Sequence, residues 1–308
     1  PRPEADAPAS SADGTPQGFP TNEPLVVTGA QANAHLSGIF VDGTHPQDKD
    51  GKFGRNLQIQ EGGTASVDGA TLTNGTEVAA AVVDPTSTLV MTHALLSRTR
   101  PSRLNAAGRS LIAQGGGSAT LSSSVVFAST QSGATAVGSG TSLTVDHCVF
   151  SNTATDATES LGHAVVGANH AIVRVNSTRL SSSAGAALAF QSATGKITNS
   201  RIEGNRIGIL VADGTPLEEM AGDDFELAAG TVRVSTDTSF ANNDARTGGG
   251  AVPLPDVSKS VGGAPAIDAA LVRTLMLGTF TRLMRPIGRS ADATTVIDRS
   301  LIETSVAT

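Results

Sequence analysis

The sequence predicts an all-β solenoid, in which short strands wind into coils that stack one on the next, with one α-helix near the C-terminus. Three observations point there. A ten-residue unit recurs seven times in register: ASVDGATLTN from Ala65, LVMTHALLSR from Leu89, ATLSSSVVFA from Ala119, LTVDHCVFSN from Leu143, VRVNSTRLSS from Val173, GKITNSRIEG from Gly195 and TVIDRSLIET from Thr295. The first six copies start 22 to 30 residues apart, a solenoid period, and no helical periodicity runs inside it. The composition agrees. Among 308 residues there are 34 glycines, no tryptophan and no tyrosine, which suits many short strands with tight turns.

Each column of the unit has a physical reason. The third position is always apolar (Val67, Met91, Leu121, Val145, Val175, Ile197, Ile297), and so is the eighth (Leu72, Leu96, Val126, Phe150, Leu180, Ile202, Ile302). These are two lines of core anchors. Alternation ahead of the first anchor, with Leu143 and Val145 in and Thr144 out, marks a short strand with one buried face. Next comes Asp68, Thr92, Ser122, Asp146, Asn176, Thr198 or Asp298, side chains that bond nearby backbone and permit a sharp bend. The sixth position holds a small residue (Ala70, Ala94, Ser124, Cys148, Thr178, Ser200, Ser300), fitting a crowded inner corner. The fifth position reads as solvent-exposed. Most units then carry a second strand opening on glycine, at Gly108, Gly133, Gly162 and Gly185, and a looser eighth copy starts at Val232.

Around the repeat, three regions are expected. Residues 1–24, rich in Pro, Ala and Ser, read as a flexible linker, in a chain that looks processed or cut from something longer. The solenoid spans 25–262, with first coils from Val26 to Gln60 and strands at Ile39–Val41 and Leu57–Ile59. An acidic insertion from Thr215 to Ala229, with Glu218, Glu219, Asp223, Asp224 and Glu226, reads as a solvated loop or short helix. Residues 263–308 hold a helix and a final coil or cap. Pro265 to Arg285 places Ile267, Leu271 and Leu275 on one stripe, and Pro286 ends it.

The columns resemble the right-handed parallel β-helix, the superfamily that includes pectate lyases and many bacterial surface proteins. The resemblance covers about Val26 to Ser239 and the late unit near Ile297. It implies the fold and leaves activity open, because lyases, hydrolases, adhesins and inert stalks share this architecture. Within it, Val145–Phe150 (VDHCVF) looks like the Asp-His-Cys stretch on one coil of pectate lyases. The lyases' Arg-x-Pro-x-x-Arg element is missing, since Arg285-Pro286-Ile287-Gly288-Arg289 has different spacing. The repeat columns account for VDHCVF as structure.

Composition limits the function classes. A net charge of −7 argues against nucleic acid, whose phosphates need a basic face. No apolar run approaches the roughly 18 residues of a membrane span. A single cysteine excludes an internal disulfide framework. The candidate binding residues are a late basic stripe: Arg174, Lys196 and Arg233 in one column, Arg179 and Arg201 in another. Such a stripe suits an acidic glycan, an acidic partner surface, or the chain's own Glu218–Glu226 loop. Asp48 and Asp50 are weak calcium candidates, and no other cofactor is expected. The expected role is a non-enzymatic extracellular or cell-envelope protein, a rigid spacer or binding surface and a possible subunit of an assembly. Its partners would be protein, including itself, through a solenoid end or the Ile267–Met284 helix. The alternative is a polysaccharide lyase or glycoside hydrolase acting on an acidic glycan.

Overall fold

The computed structural model describes residues 25–44, 54–101, 108–156, 161–249, 295–298 and 301–303. Within them every regular element is a β-strand. The strands pair in parallel into three sheets of nine, ten and nine strands. Each coil contributes one strand to each sheet in turn, as Ser132–Val137, Ser142–Asp146 and Val149–Ser151 do in one coil. Successive coils stack in register at the ~4.8 Å spacing of neighbouring strands. The expected helix, Pro265–Arg285, lies outside the described residues, as do residues 1–24 and the calcium candidates Asp48 and Asp50.

The repeat columns become the walls of the core. On the second sheet Leu36, Val67, Met91, Leu121, Val145, Val175, Ile197 and Val234 are direct register partners from coil to coil. On the third sheet Val41, Leu72, Leu96, Val126, Phe150, Leu180, Ile202 and Phe240 follow one another in the same way. The first sheet adds Leu57, Ala80, Leu111, Ala134, Val165, Leu188 and Ile209. All three columns belong to one continuous core cluster, and Val145 and Ile197 have no solvent exposure. Burying each such side chain contributes about 1.5–3 kcal/mol.

Beside the buried rings of Phe150 and Phe190, a neighbouring position is glycine. A Cβ on Gly133 would sit 2.6 Å from Phe150 Cδ1, and one on Gly195 would sit 2.8 Å from Phe190 Cε1. The volume of the ring is compensated by the missing side chain beside it.

The bend between the second and third sheets explains the fifth column of the repeat. Gly69, His93, Ser123, His147, Ser177 and Asn199 all have φ between 46° and 70°. The position therefore demands the left-handed backbone region, which glycine, asparagine and histidine tolerate best. Its exposure is a consequence of that geometry, not its cause.

One part of the chain differs from the sequence reading, and the placement of another was left open by it. Leu217–Met220, inside the acidic insertion, is neither loop nor helix but a strand pairing in parallel with Val232–Ser235 at the edge of the second sheet. Leu217 takes the register position of Val232, so an apolar residue at the head of the insertion extends the stack. The last repeat unit, Thr295–Asp298 and Leu301–Glu303, does not follow the preceding coils. It pairs with Asn33–Ser37 and Phe40–Asp42, at the opposite end.

A charge in the core has no partner to compensate it. Ile197→Asp is expected to cost more than about 4 kcal/mol and to open the neighbouring coils to protease, read by urea denaturation and limited proteolysis. A stability loss below about 1 kcal/mol would mean that this column does not face the core.

Candidate functional site on the second sheet

The late outward columns carry the basic stripe. Thr144, Arg174, Lys196 and Arg233 are register partners on successive strands, with Glu218 next to Arg233 on the edge strand. The acidic insertion folds back over this column. Arg233 Nε donates to Glu218 Oε2 at 2.8 Å and Nη1 to the Glu226 carbonyl at 2.8 Å. Lys196 Nζ donates to the Phe225 carbonyl at 2.7 Å and stands 4.7 Å from the centre of the Phe225 ring. Arg174, one strand further on, has no hydrogen bond or ion pair among the described residues.

Arg174 and Lys196 line a shallow polar groove of about 570 Å³ with Ser122, Asp146, Asn176 and Asp223. Its floor is tied together from coil to coil. Asn176 Nδ2 donates to Asp146 Oδ1 at 2.7 Å, and Thr198 Oγ1 donates to Asn176 Oδ1 at 2.8 Å. Asn199 Nδ2 reaches Asp223 Oδ2 at 3.0 Å, fastening the insertion to the groove wall. Asp146 also meets His147 Nδ1 at 2.9 Å. In an earlier coil the same column repeats the arrangement, with Thr92 and His93 both on Asp68.

The second basic column lies on the third sheet, away from this groove. Arg179 and Arg201 are register partners, and both are bound by Glu203. Arg179 Nε donates to Glu203 Oε1 at 2.6 Å, and Arg201 Nε donates to Oε2 at 2.6 Å. The Glu203 side chain is 4% exposed. The structure thus brings Arg174, Lys196 and Arg233 together and sets Arg179 and Arg201 apart, around a buried carboxylate. Sequence reasoning missed Glu203. The available signal was an acid at the ninth position of a unit where the preceding units have Thr73, Ser97, Phe127, Ser151 and Ser181.

The inner-corner column forms a hydrogen-bond ladder. Ser124 Oγ accepts from Ala94 N–H at 2.9 Å and donates to the Ser122 carbonyl at 2.7 Å. Thr178 accepts from Cys148 N–H and donates to Asn176. Ser200 accepts from Thr178 N–H and donates to Thr198. Cys148 fills the same place, its Sγ 3.2 Å from the Asp146 carbonyl. Burial, only partly offset by hydrogen bonds from backbone N–H groups, pushes its thiol up to about 12. It is a corner residue in the protonated form.

On the outer face of the first sheet, a groove of about 660 Å³ is lined by His163, Val166, Ala189, Leu210 and Gln191, among others. His163 Nδ1 accepts the Ala186 N–H at 2.8 Å, and desolvation lowers its pKa to about 4. The imidazole is therefore neutral at pH 7. Among the described residues no group of three or more His, Cys, Asp or Glu is placed to hold a metal ion. No helix among them is long and apolar enough to cross a membrane.

Parallel strands in register, three sheets and a continuous aliphatic interior define a parallel β-helix. Residues 99–245 match the family model described as right handed beta helix region, so the fold is the right-handed parallel β-helix. No curated protein and no solved structure matches the chain.

Breaking the Glu203 cluster removes a buried carboxylate that two arginines bind, one of them Arg179, only 14% exposed. Glu203→Ala is expected to lower stability by about 2–4 kcal/mol in urea denaturation, and Glu203→Gln by less, since an amide still accepts a hydrogen bond. A loss within about 0.5 kcal/mol for the alanine variant would show that the cluster contributes only a surface ion pair.

The Cys148 thiol is expected to resist iodoacetamide at pH 8 in the folded protein and to react once urea unfolds it. Cys148→Ser should stay within about 1 kcal/mol of the parent, because the column already accepts serine at Ser124 and Ser200. Rapid native alkylation would overturn the buried assignment.

Proposed function

We propose that this β-helix is a non-catalytic structural or interaction protein of the cell exterior or envelope, a rigid spacer that presents its faces to other molecules. One observation carries the reading: most of the side chains in these columns that could do chemistry are committed to holding the solenoid together. Glu203 is bound by two arginines, Arg233 by the acidic insertion, Asp146 by Asn176, and Cys148 by its inner corner. A charged fraction of only 16% and a serine- and threonine-rich exterior suit a regular, protease-resistant rod outside the cell. Self-association through a solenoid end belongs to the same reading.

A second reading is supported by Arg174. An arginine without a partner among the described residues, in a groove that also holds Asp146 and Lys196, offers a seat for an acidic glycan and for its cleavage by a lyase or hydrolase. Calcium would have to be recruited for such chemistry, and Asp48 and Asp50 are the residues proposed for it.

Incubation with polygalacturonate and alginate, each with and without calcium, separates the two readings. No unsaturated product and no new reducing ends are expected. Release of either by the parent chain, lost in Arg174→Ala while the fold persists, would replace the scaffold with the enzyme.

A further inference from the structure

The two ends of the solenoid are joined in an unusual way. The final repeat unit occupies the rung ahead of the first coil, in register with it. Ile297 aligns with Leu36 and through it with Val67, while Ile302 aligns with Val41 and Leu72. The unit therefore continues both anchor columns outward past the N-terminal coil. It adds strands to the second and third sheets only, and the first sheet still ends on Leu25–Thr28, where Val26 is 47% exposed. The contact is short, with four residue pairs on one sheet and three on the other.

The last strand of the first sheet among the described residues ends at Gly249. The unit begins again at Thr295, so 45 residues, 250–294, link the two ends. Nine coil steps separate them, roughly 43 Å at the strand spacing. A chain of that length spans up to about 150 Å when extended. Covalent geometry thus lets the unit reach its own N-terminal edge or that of a neighbouring molecule equally well.

We propose that the N-terminal edge formed by Asn33–Ser37 and Phe40–Asp42 is a strand-acceptor site, and that the Thr295–Glu303 unit of a second copy occupies it, linking copies head to tail. Both arrangements make the same register pairs, so exchange loses no contact. An exposed parallel edge needs backbone partners, and the repeat unit is the segment of this chain whose pattern supplies them. The unit and the edge it meets are different surfaces, so one-way exchange extends an array, whereas reciprocal exchange would close a dimer. This deepens the scaffold reading by naming the contact through which copies join. It rests on that reading only for its purpose, since glycan cleavage and strand exchange fail in separate assays.

Cysteine trapping tests it on the full chain. His35 is exposed and is the register partner of Val296, within the Cα separation that a disulfide spans. In a Cys148→Ala background, His35→Cys and Val296→Cys are made on separate chains, mixed and oxidised. A disulfide-linked dimer is expected on a non-reducing gel. Its yield should rise with concentration and exceed that of His35→Cys mixed with a Thr144→Cys control. In sedimentation, deletion of 291–308 should abolish concentration-dependent association of the parent chain. The proposal is overturned if the mixed variants give no dimer above the control, whether or not the double variant cross-links within one chain. It is equally overturned if the deletion leaves association unchanged.

Discussion

The coil depends on the bend between its second and third sheets. There the backbone must enter the left-handed region for one residue, turn, and bring the next aliphatic anchor back beneath the previous coil. For an ordinary residue that conformation costs about 1–2 kcal/mol, and it recurs in coil after coil. The cost is offset locally. On one side, an acid, amide or hydroxyl bonds its counterpart in the next coil, as Asp146 does with Asn176. On the other, a small corner residue accepts a backbone N–H from the neighbouring coil and donates to a carbonyl two residues back, as Ser200 does. The aliphatic columns supply the driving force for stacking, and these polar ladders decide where each coil turns.

Much of this was legible in the sequence because the solenoid repeats its environment. A position that meets the same surroundings in every coil accepts the same kind of residue, so the anchors Val145, Val175 and Ile197 announce themselves by spacing alone. The fifth column was harder. Gly69, His93, Ser123 and Asn199 share no polarity, size or charge, and the sequence alone offers exposure as their common factor. What they share is tolerance of a positive φ, for which glycine and asparagine in one column were the available clue. The corner column read as a size constraint, but its members from Ser124 onward are hydrogen-bonding residues because the bend leaves an N–H to satisfy.

Non-repeating features were the ones that escaped. Glu203 shares its column with Asp42 and Glu303 at the far end, but the coils between carry Thr73, Ser97, Phe127, Ser151 and Ser181, so no run of acids pointed to it, and its role follows from the coincidence of Arg179 and Arg201 on neighbouring strands. The acidic insertion was recognised by charge, which concealed the strand-forming Leu217 at its head. Its placement bears on function. An insertion carrying five acids comes to rest beside the column with the most cations, so the positive potential a glycan would meet is reduced before any ligand arrives. Arg174 is left as the residue where the surface charge and the sequence-predicted stripe still coincide.

Parallel stacking leaves every β-helix with two unlike ends, each offering a row of unpaired backbone groups and a cross-section of core. A solenoid built from one repeat can grow at either end with a further copy of that repeat, because its register is set by the same anchor columns throughout. Here a copy of the unit lies far from the others in sequence and seats itself on the first coil. Its register partners on that coil include Leu36 and Val41, which belong to the continuous core of the stacked coils. End recognition and internal stability are therefore one interaction. A substitution that weakened an anchor column would loosen the attachment of the last unit by the same physical route that loosens the stack.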